Sequence, residues 1–156
     1  MYLADVGEFP VAHNWCDQMA QHDEHSREIE ERCASGCPAA KNRQGSYAFN
    51  RALSGMKARD IAMRDLGSRL HLVAIFESDA GWNGYGGPEL LPDEPRHFGG
   101  DNYIFADGST SWCARRRNPD GTWAKEPEAD WVIWEPVFKE NGVEEQGTSS
   151  GSSASE

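Results

Sequence analysis

A chain of 156 residues with a net charge of −11 has the length of one domain, enough to bury roughly two thirds of its unfolded surface. The acid excess disfavours general affinity for nucleic acid, whose phosphates would meet a repulsive field over most of the surface, and leaves room only for a local basic patch. No run of about 18 apolar residues appears and the start at Met1 lacks the basic and apolar segments of a secretory leader, so a cytoplasmic chain with no membrane span is expected.

The charge is unevenly placed. Residues 1–34 carry 2 basic and 8 acidic side chains, whereas residues 35–70 carry 7 and 2. Residues 1–12 read as an extended arm or short edge strand through Leu3, Val6, Phe9 and Val11. From Asn14, a good N-cap with Asp17 three residues on, the apolar spacing turns helical. The seam Trp15, Met19, His22, Ser26, Ile29 and Cys33 predicts a first helix over 14–34, ended by Gly36 and Pro38. A second helix is expected over 46–66, with Phe49, Ala52, Leu53, Met56, Met63 and Leu66 on one arc and a weak point at Ser54-Gly55. Its basic flank complements the acidic first helix.

Residues 71–76 form a nearly continuous apolar run rich in β-formers, the expected central strand. The next 22 residues, 79–100, hold six glycines and three prolines and read as a long loop. Within it Trp82 and Tyr85 form either an aromatic recognition surface or a cover over one face of the sheet.

Strands follow over 102–106, 110–117 and 122–126, separated by the turn signals Asp107-Gly108 and Asp120-Gly121. A fourth is expected over 131–138, beyond the breaker Pro127. Tyr103 and Phe105 alternate with Ile104 and Ala106, so both faces of this meander are apolar and each needs a cover. The fold class is therefore α+β: an N-terminal helix pair packed on a mainly antiparallel four- to five-stranded sheet, one domain over 1–139, and a disordered acidic Ser/Gly/Glu tail over 140–156.

The chemistry-bearing residues match no reaction signature. Cys16 and Cys33 would stand about 25 Å apart on one straight helix, too far to share an ion. The feasible local pair, Cys33 and Cys37, needs distant partners such as Cys113, His71 or His97, so no metal, cofactor or catalytic residue is assigned from the sequence. The function expected is a non-catalytic protein that binds another protein, with Trp82, Tyr85, Trp112 and Trp134 as the binding residues. One version is a viral accessory or anti-defence protein whose carboxylates imitate phosphates on a host enzyme. The alternatives are a small hydrolase with residues 79–100 as its lid, and a structural component of a larger assembly.

Overall fold

The computed structural model describes residues 2–22, 36–40, 45–62 and 70–138. The expected tail over 140–156 and the second half of the first expected helix lie outside the described residues. The fold is mixed α+β, with one curled sheet and few helices. Its elements in chain order are α1 (Tyr2–Val6), α2 (Trp15–His22), β1 (Tyr47–Asn50), β2 (Ile61–Ala62), β3 (His71–Glu77), β4 (Tyr85–Gly86), β5 (Gly100–Phe105), β6 (Thr110–Arg117), β7 (Trp123–Pro127), β8 (Val132–Ile133) and β9 (Val137–Phe138).

The main sheet runs β4-β1-β3-β5-β6-β7, with β8 pairing β3 in parallel, and β2 and β9 form a separate two-stranded ladder. β3 lies at its centre, as the apolar run 71–76 predicts, and Leu72, Val73 and Phe76 are buried. Leu72 and Ala74 enter one core layer and Val73 the other, as the two-residue side-chain period requires, and a register shift between Val73 and Ile75 then turns Phe76 to the same layer as Val73. The first layer adds Phe9, Trp15, Phe49 and Leu53. The second adds Leu91, Tyr103, Phe105 and Cys113, flanked by Trp131 and Trp134. Both faces are thus covered, one by the N-terminal segment and the other by the 88–91 turn together with residues 129–134.

The structure corrects the expected helix pair. Residues 47–50 form strand β1, short 3-10 turns at Arg51–Leu53 and Ala58–Asp60 and the strand β2 follow, and residues 63–66 of the expected helix lie outside the described residues. The helical spacing of Phe49, Leu53 and Met56 describes a segment that runs into the sheet and then turns. Ala48 and Phe49 are adjacent yet both buried, because each faces a different covered side of the sheet, and that burial outweighs local helix propensity. Asn50 ends the strand: its Nδ2 donates to Val73 O and Trp134 O at 2.8 and 2.7 Å, and its Oδ1 accepts from Ala52 N at 3.1 Å.

Two smaller corrections concern the ends of the described chain. The expected arm contains the helical turn α1, and its extended part, at Phe9, is fixed by a backbone bond to Met56 O. The fourth expected strand is two short pieces, β8 on β3 and β9 on β2, interrupted near Pro136, which has no N–H to offer a ladder. β5, β6 and β7 do pair antiparallel in chain order. No helix among the described residues is long and apolar enough to cross a membrane.

Candidate functional site

The site is built by the end of the 79–100 segment. His97 and Gly100 exchange backbone hydrogen bonds of 3.1 Å in both directions. Between them Phe98 and Gly99 both have positive φ, 52° and 82°, the sign pattern of a two-residue type I′ hairpin turn. Gly100 is required here, since a Cβ would lie 2.4 Å from Cys113 O and 2.6 Å from the Trp112 ring. Trp112 closes the base of the turn by donating Nε1–H to His97 O at 2.8 Å.

Before the turn, the buried Arg96 guanidinium donates to Ser46 O and Ser78 O at 2.9 and 2.8 Å and pairs with Asp79. This fixes the loop end to β1 and β3. After it, Asp101 and Arg115 form a fully buried ion pair, with Oδ2 2.7 Å from Nε, close in distance but off the line of the N–H, so neither atom has an aligned hydrogen-bond partner. Burial pushes the Asp101 carboxyl up to about 6 against the pull of Arg115, and the charge of Glu77 adds to the rise. Burial also raises the Tyr103 phenol and the Cys113 thiol.

Beneath the hairpin three side chains from separate parts of the chain converge. Cys37 Sγ lies 3.2 Å from His97 Nε2, and Glu77 Oε1 lies 2.9 Å from the same nitrogen. Each is held by a partner of its own: Cys37 N donates to Ser46 Oγ at 2.9 Å, and Asn102 Nδ2 donates to Glu77 Oε1 at 2.8 Å. Glu77 is 0% exposed, and its Oε2 has no hydrogen-bond partner. These three are the group among the described residues whose ligand atoms lie close enough together, within 4.8 Å, to hold a metal ion.

Comparison of the chain with protein-family models, with curated proteins and with solved structures finds no match.

The four aromatic residues expected to bind are dispersed. Trp112 lies on β6, 46% exposed, beside the hairpin. Trp82 and Tyr85 are exposed near β4 at the opposite edge, four strand spacings or about 19 Å from β6. Trp134 packs edge-on against Phe76 and Tyr103, with centroids 4.9 and 6.2 Å away.

The sequence reading missed Phe98, Glu77 as a partner of His97, and Asn83. At a φ of 57°, Asn83 accepts at Oδ1 from Cys16 N (2.8 Å) and Asp17 N (3.4 Å), capping α2 from 66 residues away in place of Asn14. Bonds from Trp82 and Asn83 hold the Asp17 carboxyl below its usual range. Of the distant partners named for Cys37, His97 meets it. Cys113 lies in the second core layer, His71 packs against Phe105 and Trp131, and Cys33 is outside the described residues.

Proposed function

We propose that this chain is a non-catalytic interaction protein that binds another protein through the aromatic surface at the 97–100 hairpin. The observation that carries the reading is Phe98, 103% exposed at a φ of 52° beside the half-exposed Trp112. Leaving an aromatic ring of this size in water forgoes about 1.5–3 kcal/mol of burial, and left-handed backbone at a non-glycine residue costs of order 1–3 kcal/mol more. A partner that covers the ring recovers the first term and makes use of the second. Trp82 and Tyr85 would join only for a partner broad enough to span the sheet, while Trp134 would act by supporting the inner layer.

The test uses Phe98→Asn, since asparagine tolerates left-handed φ and keeps the turn. A partner captured by the wild-type chain should be lost with Phe98→Asn and kept with Tyr85→Ser. Equal capture by the Phe98 variant overturns the reading.

The hydrolase is the second reading, favoured by the 3.2 Å contact of Cys37 with His97. A relay of nucleophile, base and acid uses both ring nitrogens, whereas Cys37 and Glu77 here meet one. The supposed lid is also bonded down through Arg96, Asn83 and Ser78. Ester turnover abolished by Cys37→Ser would move the assignment to the hydrolase.

A further inference from the structure

We propose that Cys37, Glu77 and His97 form a binding site for a zinc-type divalent cation, a site separate from the protein-binding reading above. His97 Nε2 faces the Cys37 sulfur at 3.2 Å and the Glu77 carboxylate at 2.9 Å. One imidazole nitrogen thus has a sulfur and a carboxylate oxygen in contact with it, three ligand atoms of the kinds that bind a cation, and an ion between them accepts an electron pair from each.

The spacing agrees. Bonds of about 2.3 Å to sulfur and about 2.0–2.1 Å to nitrogen and oxygen place neighbouring ligands of a tetrahedral zinc roughly 3.3–3.6 Å apart. The two measured edges, 3.2 and 2.9 Å, need to open by only a few tenths of an ångström. Glu77 supplies a second, independent pointer: it is wholly buried and its Oε2 has no hydrogen-bond partner. An orphaned buried carboxylate oxygen costs about 1–3 kcal/mol or more, a penalty removed when the carboxylate grips the cation with Oε2 as well as Oε1.

The donor set selects the ion. Thiolate with imidazole and carboxylate suits zinc and its borderline neighbours, while calcium and magnesium take oxygen ligands only. Cys37 and Glu77 bring two negative charges, matching a divalent ion. The supporting residues are those a metal centre uses: Asn102 orients the carboxylate at 2.8 Å, the hairpin hydrogen bonds fix the His97 backbone, and Ser46 Oγ holds Cys37 N.

The experiment titrates the full chain with Co²⁺ and then Zn²⁺, with circular dichroism recording the fold of every variant. One Co²⁺ per chain should bind and produce a thiolate-to-cobalt absorption band, and Zn²⁺ should bleach it. Cys37→Ser should abolish the band, and Cys113→Ser, a buried thiol outside the trio, should retain it. His97→Ala should leave binding more than 100-fold weaker, whereas Asn102→Ala, which keeps all three ligands, should weaken it about 10- to 100-fold. Zn²⁺ should raise the melting temperature of the wild-type chain and leave that of Cys37→Ser unchanged. A folded wild-type chain that takes up no Co²⁺ or Zn²⁺ at micromolar concentration overturns the site, as does a band that survives in folded Cys37→Ser.

Discussion

The two ends of the 79–100 segment are both tied to the rest of the molecule, in opposite styles. Near its start, Trp82 and Asn83 reach α2 and every polar atom of the contact is used: Asn83 caps the backbone, and its amide and the Trp82 indole both donate to Asp17. Near its finish, the hairpin gathers a buried ion pair, a carboxylate oxygen without a partner, a thiol and a carboxylate meeting one imidazole nitrogen, and a bare phenylalanine on left-handed backbone. Same loop, same lack of regular structure; one end resembles a fastener and the other a working site. Completed hydrogen bonding marks structure, and uncompensated polar groups together with strain mark function.

Substitutions can break this contrast, beginning with the largest. Arg115→Met removes the buried partner of Asp101, and unfolding free energy should fall by about 3–5 kcal/mol in a denaturant titration. The double variant Asp101→Asn/Arg115→Met should recover much of that loss. A cost under about 1 kcal/mol for Arg115→Met would mean that water reaches the pair.

The same carboxyl gives a pH test. Its value of about 6 in the folded chain exceeds the ordinary 3.8, so the folded state holds the extra proton. The penalty of burying the charge is present in full above about pH 6 and is relieved as pH falls from 6 towards 3.8. Measured against the double variant, which lacks the group, the wild-type chain should gain relative stability over that window. A flat difference would refute the assignment.

At the other end, Asn83→Gly keeps the left-handed backbone and deletes the cap, and should cost about 1–3 kcal/mol with loss of helical signal from α2. Phe98→Asn should act the opposite way and stabilise by about 1 kcal/mol, since asparagine tolerates the turn. If Phe98→Asn destabilises, the ring packs onto the molecule and the contrast drawn above fails. Smallest of all, Glu89→Gln disrupts the surface pair with Arg51 and should change stability by at most about 1 kcal/mol.

Local chemistry was legible wherever it decided the outcome. The apolar run 71–76, and the Asp-Gly turns at 107 and 120, placed β3, β5, β6 and β7 to within a few residues. A helix is expected over 46–66 because the apolar spacing suits one, whereas β1 pairs with β3 and β4, and β2 with β9, all over 20 residues onward where no local pattern refers to them. The trio was hidden for the same reason. Cys37, Glu77 and His97 are separated by 40 and 20 positions; the pairing of β3 with β5 and the turn at Phe98 bring His97 to Glu77, and the Ser46 bond beside β1, itself paired with β3, brings Cys37. One local clue existed: the two glycines after Phe98 suit a tight turn that presents His97, a reading obscured by the four glycines earlier in the loop.

The parallel seat of β8 beside β3 has a consequence for the order of assembly. Asn50 obtains its last acceptor from Trp134, 84 positions later, so a growing polypeptide leaving the ribosome holds a half-finished sheet until that indole-bearing stretch emerges. Until then Phe76 and Tyr103 lack the ring that later covers them. The inner layer is therefore closed from the C-terminal side, and a polypeptide cut short of Trp134 would leave both rings without that lid.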